Sequence, residues 1–358
     1  MNTAELVESL RMIPDVARSV WRLRGTSTAP IATPNGIAEL KQVELNGYPQ
    51  WVLIRAHDAT NPLFLLLHGG PGESSLWLAH HTMTELERHF VCVNWDQRGA
   101  GKSLLPGPDP STMTVEQLYE DTVTLIDLLL ERFGQQKVLV LGHSWGGLLA
   151  TSLAQRRPNL LHGVILMNPS IDNRRGEDLS YAWALEQARA ARDDKAVKTL
   201  EQLRGSDTYT KSGKFAERQV LFRYGGVTRT HVLKMAHLMF EAPEYSFADC
   251  LRSFRMKGVR FSIPLMADEL AGIDVTEEIR DLGVPVFFFI GRHDHTVPSE
   301  LSEELFASLQ APRKERIWFE DSAHTPDLDE TAKFQQEVIR IGQQVCRDDT
   351  VAAESSTV

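Results

Sequence analysis

Cysteine is scarce in this chain: Cys92, Cys250 and Cys346 are the only three in 358 residues. They stand far apart, are odd in number and include no C-x-x-C pair, which argues against a disulfide framework or a zinc site and fits a reducing, cytoplasmic setting. Long apolar runs are also missing. No stretch of 18 apolar residues occurs, so no transmembrane helix is expected. Excess positive charge is absent as well: 38 Lys and Arg face 48 Asp and Glu, a formal net charge of -10. A polyanion such as nucleic acid is therefore not an expected partner. The first 25 residues carry charge throughout and have no uninterrupted apolar core, so they do not read as a secretory leader. Internal repeats and low-complexity linkers are lacking too.

What remains has an ordinary globular composition, 42% hydrophobic and 24% charged. The length admits one large domain with an insertion. Leu6, Leu10, Ile13, Val16 and Val20 recur at helical spacing, so residues 1–36 are expected to open with an amphipathic helical segment, kinked near Pro14. Residues 37–56 alternate like a hairpin. Continuous apolar runs at 63–67, 90–95, 138–141, 163–167, 286–290 and 315–319 read as strands buried on both faces. Helical patterns at 115–133 and 146–157 lie between them. Such alternation predicts an α/β class with a mostly parallel sheet and helices on both faces.

The alternation stops between about 173 and 270, where Ala, Leu, Met and charged residues take helical spacing. This stretch is expected to be an inserted helical cap, with 37–172 and 271–346 forming the core and 347–358 a disordered tail. Phe215, Phe222, Tyr224, Met235, Met239, Phe240, Tyr245 and Phe254 point to an apolar cavity within the cap.

The sharpest chemical signal is strand 138–141 followed by Gly142-His143-Ser144-Trp145-Gly146 and a helix. A Gly-x-Ser-x-Gly turn between strand and helix lifts a serine hydroxyl above a sheet, at the positive end of the helix. Ser144 is the expected nucleophile. Serine needs a base, and the base an orienting acid. Asp294 follows the strand at 286–290 and His324 the strand at 315–319, in the order serine, acid, histidine. His68, His80, His81 and His143 break that order and are expected to be structural; His293 and His295 lack the carboxylate that the acid role needs. Attack on a carbonyl requires two preplaced N–H donors. Trp145 is one, and Gly70, in His68-Gly69-Gly70-Pro71-Gly72, is the other, with Gly69 in reserve. Asp96 to Ser103 is not a phosphate loop, because Gly99 stands only three residues before Lys102. It reads as a structural turn in which Asp96 and Arg98 tie neighbouring loops.

Taken together, HGGPG at 68–72, WDQRGAGKS at 95–103, GHSWGG at 142–147, GRHDHTVP at 291–298 and WFEDSAHTP at 318–326 resemble the proline iminopeptidase-like branch of the α/β-hydrolases, over about residues 37 to 343. The resemblance implies the α/β-hydrolase fold with a helical cap and the roles given above for Ser144, Asp294, His324, Gly70 and Trp145. It implies no metal and no organic cofactor. The expected reaction is cleavage of a small amide or ester, or of a short peptide, through an acyl-enzyme; the alternative is a non-hydrolytic tailoring enzyme or ligand receptor using the same pocket. Iminopeptidases hold a free amino terminus with cap carboxylates. Glu241 and Glu244, with Tyr245 beside them and Asp249 as a third acid, are the candidates for that task.

Overall fold

The computed structural model describes residues 25–203, 213–276 and 279–355, the side chains of 213–215 and 348–355 excepted. Eight strands form one sheet: β1 (Ile37–Leu45), β2 (Tyr48–Ala56), β3 (Leu63–Leu67), β4 (Val91–Trp95), β5 (Val138–His143), β6 (Leu161–Met167), β7 (Val286–Gly291) and β8 (Lys314–Phe319). Their spatial order is β1-β2-β4-β3-β5-β6-β7-β8. The hairpin β1–β2 joins β4 antiparallel, and every later neighbour pairs parallel.

β3, β4 and β7 are buried at every position, as strands covered on both faces must be. The covering differs on the two sides. Leu65, Val93, Val140, Val164 and Phe288 pack with α1 (Val115–Phe133) and α2 (Trp145–Arg156). Phe64, Leu139, Ile165, Phe287 and Phe289 pack against α11 (Thr331–Ser355), among them Phe334, Val338 and Ile341. Between β6 and β7 the described residues form seven helices, α3 (Asn173–Ala190), α4 (Asp194–Leu203), α5 (Gly213–Arg223), α6 (Val232–Glu241), α7 (Phe247–Phe254), α8 (Lys257–Leu265) and α9 (Ala267–Ala271). They are the helical cap. The last crossover, between β7 and β8, is α10 (Ser299–Ser308).

The helix expected over Leu6 to Val20 lies outside the described residues; of the N-terminal segment only 25–36 is described, and it holds no helix. Pro30, Pro34, Gly25 and Gly36 break helical hydrogen bonding there. The expected disorder of 347–358 gives way to helix through Ser355, since no Pro or Gly follows Gly342 and the run ends in helix-forming Ala352, Ala353 and Glu354. Among the described residues no helix is long and apolar enough to cross a membrane.

Candidate active site

Ser144 sits on the turn between β5 and α2 with φ 54° and ψ -118°. That is a strained conformation for a residue with a Cβ, and it persists because its surroundings fix it. The Ser144 N–H donates to Met167 O at 2.9 Å, and its carbonyl accepts from Gly147 N at 2.9 Å and Ser170 N at 3.0 Å. The flanking glycines are steric necessities. A Cβ on Gly146 would collide with the carbonyl of Leu67, and one on Gly142 with the carbonyl of Gly146.

Asp294 and His324 converge from the loops after β7 and β8. His324 Nδ1 lies 2.7 Å from Asp294 Oδ2. Asp294 Oδ1 accepts the N–H groups of Thr296 and Val297 at 2.8 and 3.0 Å. Both side chains are buried. Burial pushes the His324 imidazole below its ordinary range, so the ring rests neutral. Burial also pulls the Asp294 carboxyl upward, opposed by its two backbone N–H donors. With Nδ1 directed at the carboxylate, Nε2 is the nitrogen left for proton transfer.

Gly70, Ser144 and Trp145 line one cavity. His68 sets the direction of the Gly70 amide. Its Nε2 accepts from Gln97 N at 3.0 Å, so Nδ1 carries the proton and donates to Gly69 O at 2.7 Å. The buried ring is pushed down to about 4 and stays neutral, chiefly by desolvation. Across the planar trans peptide, fixing the Gly69 carbonyl turns the Gly70 N–H the opposite way. Gln97 links the Gly70 and Trp145 segments: its Nε2 donates to His68 O at 3.1 Å and its Oε1 accepts from Trp145 Nε1 at 3.0 Å. His68 was expected to be structural, and its bonds to backbone groups are of that kind; Gln97 was not singled out from the sequence. A polar residue in each of two adjacent strand-end loops was the available signal.

The cap acids named from sequence are not on this cavity. Tyr245 is fully buried, its hydroxyl in a cluster with Ser74 and Asp96. Glu244 accepts from Thr28 Oγ1 at 2.5 Å, and burial raises its carboxyl above the ordinary range. Glu241, near the end of α6, lies 4.0 Å from His237 Nε2. Asp249 caps α7 and pairs with Lys102 Nζ at 3.0 Å. Among the described residues the cavity is lined instead by Glu73, Asp172, Glu177 and Glu217, together with Arg218. Its apolar wall is also built from other residues than expected: Leu221, Met256, Val259, Ile263 and Leu270. Met235, Met239, Phe240 and Tyr245 belong to a separate cluster around Trp77, Tyr224 packs beside α4, and Phe222 and Phe254 are exposed. The side chain of Phe215 lies outside the described part.

Among the described residues no group of three or more His, Cys, Asp or Glu side chains is placed to hold a metal ion. Among the described residues no disulfide forms, and Cys92 and Cys250 are buried. Asp96 and Arg98 do tie loops together: Asp96 accepts from Ser74 Oγ and Lys102 N, and Arg98 bonds Asp121 and the carbonyl of Leu45.

Comparison with known proteins agrees with this architecture. A family model described as alpha/beta hydrolase fold matches residues 62–331. A protein of Bacillus subtilis named probable aminopeptidase YbaC is 31% identical over 312 residues, covering 85% of this chain and 96% of its own. A proline iminopeptidase of Saccharolobus solfataricus is 26% identical, covering 77% and 83%. The crystal structure of the Mycobacterium smegmatis proline iminopeptidase superposes with TM-score 0.64 at 19% identity, over 86% of this chain and 98% of that one. The chain belongs to the α/β hydrolase fold family, in its proline iminopeptidase-like branch.

Proposed function

We propose that this protein is a serine hydrolase of aminopeptidase type, cleaving an amide next to a free amino group. One observation carries the reading: among the described residues, the cavity holding Ser144, Gly70 and Trp145 is also lined by the carboxylates of Glu73, Asp172, Glu177 and Glu217, together with the guanidinium of Arg218. A substrate ammonium entering such a cavity is electrostatically favoured, and fixing it positions the adjoining carbonyl over Ser144. The names of the relatives support the same class.

In this mechanism Ser144 Oγ attacks the carbonyl carbon while His324 Nε2 takes its proton. Asp294 holds the imidazole tautomer and stabilises the imidazolium. The N–H groups of Gly70 and Trp145 receive the negative charge that develops on the carbonyl oxygen. His324 returns the proton to the leaving amine, and water then attacks the acyl-enzyme by the same route in reverse.

The test is a panel of alanine and proline 4-nitroanilides, each with a free and an acetylated amino group, beside short 4-nitrophenyl esters. Free-amine anilides are expected to turn over with the highest kcat/KM, acetylation raising KM strongly. Equal rates for free and acetylated anilides would remove the aminopeptidase reading, and turnover of esters alone would leave an esterase. No turnover of any of these by folded protein would favour a non-hydrolytic use of the pocket.

A further inference from the structure

His324 is held by its own backbone from two sides. Its N–H donates to Val227 O, in the cap, at 3.0 Å. Its carbonyl accepts from His143 Nε2, on the Ser144 turn, at 2.7 Å. The residue before it is held likewise: the N–H of Ala323 donates to Asp329 Oδ2 at 3.1 Å, and Ala323 O accepts from Asn168 Nδ2 at 3.1 Å.

Asp329 is the joint between this loop and the cap. It closes the single turn Pro326–Asp329, and six donors converge on its carboxylate. From the cap come Thr228 Oγ1 at 2.7 Å, Thr230 N and Thr230 Oγ1 at 2.9 Å, and Arg229 N at 3.1 Å. From the histidine loop come Ala323 N and Thr325 Oγ1, at 3.1 and 3.3 Å. A carboxylate has about four lone-pair sites, so this one is fully used. The same cap segment reaches the acid. Gly226 O accepts from His295 N at 3.1 Å and from Thr296 Oγ1 at 3.3 Å, and Thr296 N is one of the two donors to Asp294.

We propose that Asp329 is a positioning residue, which uses the cap segment Gly226–Thr230 as a brace to hold His324 in register with Ser144 and Asp294. The proposal rests on the reading of His324 as the base. Asp329 acts through the peptide of Ala323 and touches no substrate. The cap is therefore part of the device that aligns the proton acceptor, besides forming the wall of the cavity. Displacement of a catalytic group by about 1 Å costs up to about 100-fold in rate.

The experiment compares wild type with Asp329→Asn, Thr228→Val/Thr230→Val and His324→Ala. The readouts are second-order labelling by a fluorophosphonate probe, kcat and KM on alanine 4-nitroanilide, and thermal midpoint. In Asp329→Asn the amide nitrogen cannot accept, so part of the joint is lost while shape is kept. Labelling and kcat are expected to fall about 10- to 100-fold with KM within about twofold. The Thr double variant, which removes cap hydroxyls and leaves the Ala323 contact, is expected to lose less, in kcat again. Wild-type kcat in folded Asp329→Asn, or a rise in KM alone, overturns the proposal. If Asp329→Asn does not fold, the Thr double variant decides: lowered kcat supports the brace and unchanged kcat overturns it. His324→Ala separates the two readings, because undiminished labelling of that variant removes the base assignment itself.

Discussion

Two of the junctions between cap and core are built on different chemistry. At Gly226–Thr230 the contacts are mostly backbone, aimed at the loops that carry Asp294 and His324. At Tyr245–Asp249 they are buried polar and charged side chains. Lys102 Nζ reaches Asp249 at 3.0 Å and the carbonyl of Gly25 at 2.6 Å, while Asp96, Ser74 and Tyr245 form a second cluster beside it. Thr28 joins Glu244 to Arg55, so the segment from Gly25 straps both layers together. Backbone contacts fix geometry to fractions of an ångström; buried ion pairs make removal of one partner costly. The first junction should therefore govern rate, and the second stability.

The comparison breaks most visibly at the chemistry itself. Ser144→Ala should lower kcat by at least about 10⁴-fold with an unchanged thermal midpoint, since an elbow serine contributes reactivity and almost no packing. Lys102→Met should do the reverse. It takes from the buried Asp249 carboxylate one of its two cationic partners, Arg252 being the other, and should cost about 2 kcal/mol in denaturant unfolding, with kcat in the residual folded protein near wild type. A loss of kcat without loss of stability would contradict the division between the two junctions. Glu217→Gln sharpens it on the substrate side: KM for a free-amine anilide should rise about tenfold, as expected for one charged hydrogen bond, while an acetylated anilide is unaffected.

The smallest effect is in acid. The Asp249 carboxyl is held below its ordinary 3.8: burial raises it, and the Ser246 hydrogen bonds with Lys102 outweigh that. A group lowered in the folded state stabilises the fold above its unfolded value, and that stabilisation is lost as pH falls below about 4. Unfolding free energy measured at pH 5 and pH 3 should fall more in wild type than in Lys102→Met, by under about 1 kcal/mol. An equal fall in both would show that Lys102 does not set the Asp249 carboxyl.

The parts of this account legible in sequence share a cause. Five of the six expected strands are continuous apolar runs and almost wholly buried; β8, at the sheet edge and opening with Lys314, Glu315 and Arg316, is only partly buried, against the expectation for 315–319. Ser144, Asp294 and His324 stand just beyond strand ends, where a parallel sheet gathers its chemistry. The cap gave no comparable guide. Glu241, Glu244 and Tyr245 were attractive because acids and an aromatic cluster there. Which face of α6 or α7 meets the cavity is decided by packing between helices, which local periodicity does not encode. Tyr245 turned to Asp96 and Glu244 to Thr28, while Glu177 and Glu217, unremarkable on charged helices, line the cavity. The brace was illegible for a deeper reason. The carbonyl of Val227 and the amide of Arg229 belong to every residue type alike, so Gly226-Val227-Thr228-Arg229-Thr230 carries no motif. Asp329 could have been noticed only as an acid five residues beyond His324.

The central claim is that Ser144 is the activated nucleophile of this cavity, and covalent labelling tests it most directly. Intact protein treated with a fluorophosphonate probe and then digested for mass spectrometry should carry one adduct, on Ser144, absent from Ser144→Ala and strongly slowed in His324→Ala. An unlabelled wild-type protein, or an adduct on any other residue, would contradict the account.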